Sequence, residues 1–213
     1  MKRAILGVVI ALAACASPTP APKPPCPTQG PTTADAQATL ADAARAVLDT
    51  NKGSFTIELY RDQAPLASAN FVALARCGFY DGISFHRVLA GFVAQAGDPQ
   101  TKQNHGDFQG LGGGDPGYGF DIEPPADGLN YDPYAVVMAN DKRTNGSQFF
   151  IDLADLNGRL DRLYTIFGKV IAGTDVLDTI GKVPTNGPNG LPLDPVIINT
   201  IRIEAPPAAS PTA

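Results

Sequence analysis

The sequence is poor in the residues that several classes of site require. It contains no tryptophan, two histidines and three cysteines in 213 residues, and none of these is clustered or spaced as C-x-x-C. This argues against a metal site, because zinc ligands are closely spaced cysteines and histidines in most proteins. Positive charge is also scarce, since 16 basic residues face 21 acidic ones for a net charge of −5. A nucleic-acid-binding domain needs a basic surface, so we exclude that class.

Long apolar runs are absent from most of the chain. The one pronounced run, residues 4–14, follows Lys2 and Arg3. Its eleven residues are too few to span a bilayer and are typical of an export signal. It leads into Leu-Ala-Ala-Cys15, which resembles the lipobox of bacterial lipoproteins and implies cleavage before Cys15 and lipid attachment to that residue. The alternative is a plain secretory signal. Lipidation predicts a cell-envelope protein, anchored to a bacterial membrane with its domain outside the cytoplasm.

Composition divides the chain into four parts. Seven prolines between residues 16 and 31 favour an extended tether, and residues 32–43 are Ala-rich and predict either a short helix or more linker. We therefore assign residues 1–14 to the signal peptide, 15–43 to the lipidated cysteine and a Pro/Ala-rich tether, 44–204 to one folded domain and 205–213 to a disordered tail.

Two cysteines remain if Cys15 carries the lipid. Outside the cytoplasm, Cys26 and Cys77 can be oxidised to a disulfide. Cys26 lies in the Pro-rich tract, however, and Cys77 follows a predicted helix, so their spacing does not show that they meet. A disulfide and a free, partly buried Cys77 both stay open.

The domain is organised around residues 84–98. Two short strand-like runs there place Arg87, Phe92 and Gln95 close together. Because side chains alternate along a strand, Val93 and Gln95 share one face, and a guanidinium and an amide beside an apolar floor suit an uncharged ligand with a carbonyl group. Apart from its first and last residues, the stretch has no carboxylate, serine or cysteine, which argues against hydrolytic chemistry. The alternative is an ordinary hairpin with a surface arginine.

Elsewhere the pattern predicts short strands and two helices, which together suit an antiparallel barrel. A Gly-rich loop follows Asp98, and Gly112, Gly114 and Gly117 formally match the dinucleotide fingerprint. No strand precedes them and a proline interrupts them, so we interpret this segment as a turn-rich loop. The predicted strands cover residues 44–49, 54–60, 84–89, 92–96, 135–140, 147–152, 164–170 and 195–203, and the predicted helices cover residues 66–77 and 174–181, with Thr174 as a helix cap.

The strand over residues 147–152 has an aromatic residue on each face. Phe149 and Ile151 point one way, and Gln148 and Phe150 point the other. If the first pair fills a core, Phe150 lies on the outer face, where it is either covered by a loop or available to a ligand.

Several short motifs occur in order along the domain. They are Phe85-His-Arg87, Gly91-Phe92, Gln95-Ala-Gly-Asp98, Met138-Ala-Asn140, Thr144-Asn-Gly-Ser-Gln-Phe-Phe150 and Phe167-Gly-Lys-Val170. Together they resemble the cyclophilin family of peptidyl-prolyl cis-trans isomerases, over essentially the whole domain. The resemblance implies a mainly β fold, a closed eight-stranded antiparallel β-barrel with two capping α-helices. It also implies proline-containing polypeptides as partners, no cofactor and no metal.

The resemblance implies a role for each residue of a groove on the barrel surface. Arg87 would be the main catalytic residue, with Phe92 and Gln95 beside it, and Gln95 would orient Arg87. The residues that would bind the substrate are Val93, Ala139, Asn140, Gln148, Phe150, Leu160 and Tyr164.

The chain departs from the family pattern at this groove. Val93 stands where methionine is common, and Tyr164 stands where many relatives have histidine. The loop over residues 157–163 is altered, and no tryptophan stands near Leu156 or Arg159, where many relatives have one. In the family, cyclosporin affinity often depends on that tryptophan, so we expect it to be weakened here. We also expect a monomer.

Two functions follow from these observations. The first is an isomerase that accelerates rotation of X-Pro bonds in exported proteins and so assists their folding. The alternative is a holdase or adaptor that binds proline-containing chains without significant turnover. Retention of Arg87, Phe92, Gln95 and Phe150 favours the first, whereas the altered loop before Tyr164 leaves the second open.

Overall fold

The structure is a computed structural model that describes residues 22–103 and 111–206. The predicted signal peptide, Cys15 and most of the predicted tail lie outside the described residues. No helix among the described residues has the length and apolar character that a membrane crossing requires.

The described residues form eleven strands, three α-helices and one short 3-10 helix. The helices are α1 (Thr33–Leu40), α2 (Pro65–Arg76) and α3 (Thr174–Ile180), and the 3-10 helix covers Pro99–Lys102. The strands are β1 (Arg45–Thr50), β2 (Gly53–Leu59), β3 (Arg87–Leu89), β4 (Val93–Ala96), β5 (Phe120–Asp121), β6 (Ala135–Asn140), β7 (Thr144–Asp152), β8 (Ile166–Ala172), β9 (Thr185–Asn186), β10 (Leu191–Pro192) and β11 (Ile198–Glu204).

One curved antiparallel sheet dominates the molecule. Its strands run in the order β11-β1-β2-β8-β6-β7-β4-β3, with β5 added beside β7, while β9 and β10 form a separate pair. Burial alternates along β2, since Phe55, Ile57 and Leu59 are buried and the residues between them are not. The order brings β3, β4, β7 and β6 side by side, which places the predicted groove residues on neighbouring strands.

The prediction of a closed barrel is wrong, because the sheet is an open half-barrel. Its end strands, β3 and β11, are not paired as strands in the described chain. One bridge between Ser84 and Ile197 and a few neighbouring backbone hydrogen bonds cross the gap. The outer edge of β3 is instead occupied by the loop before β10, where the Gly190 carbonyl accepts a 2.7 Å hydrogen bond from the Val88 amide. This loop covers the edge that would otherwise extend the sheet.

Helix α2 closes one side of the sheet. Pro65 lies in its first turn, and Phe71 contacts the rings of Tyr80, Phe149 and Phe167 at centroid distances of 5.2–5.4 Å. Its N-terminal amides are capped from a distant part of the chain, since both carboxylate oxygens of Glu123 accept hydrogen bonds of 2.9 Å, from Leu66 and Ala67. Helix α3 begins at Thr174, but Gly173 is its N-cap residue, so the prediction that Thr174 caps this helix is wrong.

The prediction of two helices is also wrong, because α1 is a third helix. It lies within the predicted tether and packs against α2 through the buried side chains of Ala36 and Leu40. Thr32 and Asp35 form a capping box at its start. The segment before it is attached as well, by a disulfide between Cys26 and Cys77 across a sequence separation of 51 residues. The described part of the tether, from residue 22, is therefore folded against the domain.

Candidate active site

A row of cross-strand neighbours builds the centre of the site. Arg87 on β3 lies opposite Gln95 on β4, Gln95 lies opposite Phe150 on β7, and Phe150 lies opposite Val137 on β6. The predicted side-chain parity of β7 is confirmed, since Phe149 and Ile151 belong to the main core whereas Phe150 belongs to a second cluster on the other face.

This second cluster is an apolar floor, separate from the main core. It contains five of the residues that the sequence predicted for substrate binding, together with Phe92. Phe150 is 5% exposed and contacts the ring of Tyr164 edge-on at 5.8 Å. The predicted members of the floor are Phe92, Val93, Ala139, Phe150, Leu160 and Tyr164. A proline ring is a small apolar group, and a floor of this kind suits it.

Arg87 is half-buried at the edge of the floor. Its guanidinium carbon lies 5.5 Å from the centroid of the Phe92 ring, a distance at which a cation is attracted to an aromatic face. Desolvation by burial lowers the pKa of Arg87, and Tyr164 opposes this shift, yet an arginine side chain stays protonated in proteins. No carboxylate in the described chain lies within salt-bridge distance of Arg87. Within residues 22–103 and 111–206, its donors are therefore free of ion pairs and available to a ligand.

The implied role of Gln95 in orienting Arg87 stays a prediction, because no hydrogen bond joins the two side chains in the described part of the chain. Gln95 lies opposite Arg87 in the sheet, but its amide donates a 3.0 Å hydrogen bond to the side-chain oxygen of Gln148. The amide of Gln148 in turn donates to the carbonyls of Gly112 and Gly114 at 3.0 and 2.8 Å. The two glutamines thus join the strands beneath Arg87 to the Gly-rich loop.

The Gly-rich loop is organised by one buried carboxylate, Asp98. Its oxygens accept hydrogen bonds from the amides of Gln100, Gly112 and Gly114 at 2.8, 2.5 and 3.3 Å. A β-carbon at Gly114 would overlap the Asp98 carboxylate, so this position requires glycine. This confirms the interpretation of the described part of the segment as a turn-rich loop.

A cavity of about 430 Å³ opens between this loop and the strands. Gln95, Ala139, Asn140 and Gln148 lie on its border, and Ala139 also belongs to the apolar floor, so the cavity adjoins the floor. The cavity is polar, since backbone of the glycine loop and the side chains of Asp115 and Asp141 line it. The Asn140 amide donates a 2.9 Å hydrogen bond to the Leu163 carbonyl, which ties β6 to the altered loop before Tyr164.

Two buried titratable residues lie next to the site without a hydrogen-bond partner in the described chain. Both oxygens of Asp152 lack one. Burial, with a smaller contribution from Asp132, raises the pKa of Asp152 to about 8. His86 is 1% exposed, and burial lowers its pKa to about 4. The charge of Asp98 acts to raise this pKa, whereas the charge of Arg87 lowers it slightly further. His86 is therefore neutral at physiological pH.

Sequence reasoning missed three parts of the site. Asp98 was treated only as the end of a motif, Asp152 was not singled out, and Arg159 was treated only as a position without tryptophan. The guanidinium carbon of Arg159 lies 5.1 Å from the centroid of the Phe92 ring. No local pattern signals any of these contacts, because each joins segments that are at least 14 residues apart.

Comparison with known proteins gives the class to which this fold and groove belong. The model of the family "cyclophilin type peptidyl-prolyl cis-trans isomerase" matches residues 45–203. Peptidyl-prolyl cis-trans isomerase A of Mycobacterium tuberculosis is 41% identical over 179 residues, which cover 75% of this chain and 92% of the relative. A peptidyl-prolyl cis-trans isomerase of Helicobacter pylori is 43% identical over 144 residues, covering 66% of this chain and 82% of the relative.

Solved structures agree with these relatives. A cyclophilin-type isomerase of Cryptosporidium parvum superposes with a TM-score of 0.67 at 35% identity, covering 78% of this chain and 99% of that one. Its structure in the presence of the dipeptide Ala-Pro superposes with a TM-score of 0.66 at 36% identity, covering 76% and 99%. The chain belongs to the cyclophilin-type peptidyl-prolyl cis-trans isomerase family. Its function is the cis-trans isomerisation of peptidyl-prolyl bonds.

Proposed function

We propose that Arg87 catalyses this isomerisation by donating a hydrogen bond to the twisted amide, while the apolar floor holds the proline ring. The observation that supports this assignment is the half-buried guanidinium at the edge of the floor, without a carboxylate partner in the described chain. In the twisted state the amide loses resonance, and the proline nitrogen regains a lone pair. A fixed cationic donor binds that nitrogen more strongly than it binds the planar ground state.

The energies involved are consistent with this role. The barrier to rotation is roughly 18–20 kcal/mol, and unaided rotation takes tens of seconds. Acceleration to milliseconds requires about 5–6 kcal/mol of preference for the transition state. A hydrogen bond from a charged donor supplies roughly 1.5–3 kcal/mol of this. No bond is broken and no proton is transferred, so the reaction needs neither a nucleophile nor a base. The neutral imidazole of His86 therefore has no role as a base in this mechanism.

The test of Arg87 is a direct measurement of cis-trans exchange. Wild-type protein and Arg87→Ala would be compared on an Ala-Pro peptide by exchange NMR, with peptide binding measured in parallel. We expect Arg87→Ala to lose most of the acceleration and to keep most of the peptide affinity. Arg202→Ala, at an exposed arginine on β11, is the matched control. Equal acceleration by wild type and Arg87→Ala would contradict the assignment. Binding without acceleration by wild type would favour the holdase alternative.

We further propose that the protein works on exported chains while anchored by lipid at Cys15. The run before Cys15 supports this, as does the disulfide, because disulfides persist in oxidising compartments outside the cytoplasm. Mass spectrometry of the mature N-terminus and membrane fractionation test it. We expect a diacylated or triacylated Cys15 in the wild type and release of Cys15→Ala from the membrane. A soluble, unmodified mature wild type would contradict the proposal.

We also propose that cyclosporin binds weakly and that the chain is a monomer. The support for weak cyclosporin binding is the absence of tryptophan from the chain and the position of Arg159 beside Phe92. Isothermal titration with cyclosporin and sedimentation velocity of the purified protein test these two statements.

A further inference from the structure

We propose that Arg159 selects substrates that carry an acidic side chain within two positions of the proline, on the side of the groove where Arg159 lies. This proposal names a substrate class for the isomerase described above and depends on that activity. It comes from the distribution of charge along the groove.

The Arg159 end of the groove carries two cations around one ring. The guanidinium carbons of Arg87 and Arg159 lie 5.5 and 5.1 Å from the centroid of Phe92. Phe92 itself follows a tight turn, in which its amide donates a 2.9 Å hydrogen bond to the Leu89 carbonyl. The aromatic ring therefore holds both cations at one rim of the apolar floor.

The two cations differ in exposure and hence in what they can contact. Arg87 is half-buried, and the mechanism proposed above assigns its donors to the bond that rotates. Arg159 is exposed, donates a 3.4 Å hydrogen bond to the Gly91 carbonyl, and has no carboxylate within salt-bridge distance in the described chain. The remaining donors of its planar guanidinium are suited to a carboxylate, which we infer to be supplied by the bound peptide.

The other end of the groove has the opposite character. Its cavity is lined by Asp115 and Asp141, and no lysine or arginine is among the described lining residues. Asp141 accepts hydrogen bonds from the amides of Thr144 and Arg143, which hold the pKa of its carboxyl below the usual value. Its ion pair with Arg143 is at 3.4 Å and largely exposed, so it is weak and screened by solvent. An acidic substrate side chain is thus favoured at the Arg159 end and disfavoured at the cavity end.

The experiment compares two series of short Ala-Pro peptides by exchange NMR at low and high salt. One series carries Glu, Gln or Lys immediately after the proline, and the other carries the same residues two positions before it. We expect kcat/KM to be about twofold to fivefold higher for Glu than for Lys in one series, the size of an exposed charge interaction. The difference should shrink as salt is raised. The series that shows it also identifies which side of the proline faces Arg159.

Variants assign the effect to Arg159. Arg159→Gln should abolish the preference for Glu, and Arg159→Glu should reverse it. Arg202→Glu makes the same change in net charge as Arg159→Glu, but on β11 and away from the groove. This control variant should leave the preference for Glu intact. Absence of the preference in both series, or its survival in Arg159→Glu, would overturn the proposal, as would an equal loss in Arg202→Glu. In these cases the peptides would still isomerise faster with protein than without it. Failure of the wild type to accelerate any peptide would instead overturn the activity itself.

Discussion

The two ends of the groove are supported in different ways. The proline end consists of side chains from β3, β4 and β7, whose register fixes Arg87, Gln95 and Phe150 in one row. The cavity end consists largely of glycine backbone, which is held by Asp98 and by the amide of Gln148. Strand pairing fixes the first end, whereas a few side-chain hydrogen bonds fix the second.

The cavity end has a further support behind it. The segment that the disulfide attaches passes so close to the start of β5 that a β-carbon at Gly30 would lie 2.8 Å from the β-carbon of Phe120 and 2.9 Å from the carbonyl oxygen of Gly119. The hydroxyl of Tyr118, a residue that lines the cavity, donates a 2.8 Å hydrogen bond to Asn70 of α2. From this difference we expect changes at the cavity end to alter substrate binding and changes at the proline end to alter turnover.

Removal of the disulfide should give the largest loss of stability. In the loop-entropy description, a bridge that closes a loop of 51 residues contributes about 4 kcal/mol. We expect Cys26→Ser combined with Cys77→Ser to lower the free energy of unfolding by up to that amount in urea titrations. We also expect KM to rise more than kcat falls, because the affected segment packs behind the cavity end.

Wild-type protein in a reducing buffer is the control for this variant and should match it. Unchanged stability in both samples would contradict the disulfide's structural role. A larger loss in kcat than in KM would contradict the proposed difference between the two ends.

Replacement of Asp152, which lies next to the proline end, should change how the free energy of unfolding depends on pH. The pKa of Asp152 is raised to about 8 in the folded protein, so its contribution to stability is fully present below the unfolded pKa of about 4 and is lost as pH rises towards 8. Asp152→Asn cannot ionise. Relative to wild type, its free energy of unfolding should therefore rise by up to about 1.4 kcal/mol per pH unit between pH 4 and pH 8, and then level off.

Urea titrations at pH 4.5, 6, 8 and 9 measure this difference. Asp127→Asn, at an exposed carboxylate, is the matched control and should show no such trend. A constant difference between Asp152→Asn and wild type across this range would contradict the raised pKa.

Truncation of Phe92 should damage the proline end selectively. Phe92→Ala removes apolar contact with the proline ring and the aromatic face that both guanidiniums share. We expect a loss of about 2 kcal/mol in transition-state binding, or about 30-fold in kcat/KM. Phe92→Leu keeps apolar contact without the aromatic face, so the difference between wild type and Phe92→Leu measures the cation–π contribution, and the difference between Phe92→Leu and Phe92→Ala measures the apolar contact. Wild-type activity in Phe92→Leu would show that the ring's face does not matter.

Changes to Gln148 should give the smallest effect and should act on binding. Gln148→Glu can still accept the hydrogen bond from Gln95 but cannot donate to the Gly112 and Gly114 carbonyls. Loss of such bonds costs about 1 kcal/mol, so we expect KM to rise about fivefold with kcat nearly unchanged. Gln100→Ala, at an exposed glutamine, is the control. An equal fall in kcat would mean that the two ends are not independent.

Local patterns predicted the proline end better than they predicted the rest. Alternation along β7 placed Phe149 in the core and Phe150 on the groove face, because a strand's period is a local property. The motifs also brought Arg87, Phe92 and Val93 to one place. These residues lie within seven positions of each other in the sequence, so a hairpin alone determines their proximity.

The features that the sequence did not predict depend on contacts between distant segments. The disulfide joins residues 51 positions apart, and Glu123 caps a helix that begins 58 residues earlier. Whether the sheet closes depends on what occupies the outer edge of β3, and a loop about 100 residues later occupies it. The helix α1 was left open as helix or linker, because only its packing on α2 stabilises so short a helix.

The attachment of Cys26 to Cys77 has a consequence for how far the enzyme can reach. If Cys15 is anchored in a membrane, 11 positions separate it from the attachment point at Cys26, whereas 29 positions separate it from the start of the predicted domain at Ala44. At about 3.1 Å per residue for a Pro-rich chain, a free segment of 11 residues spans at most about 34 Å. A lipid at Cys15 would therefore hold the groove close to the membrane, and reduction of the disulfide would lengthen the free segment only up to α1, because α1 packs against α2.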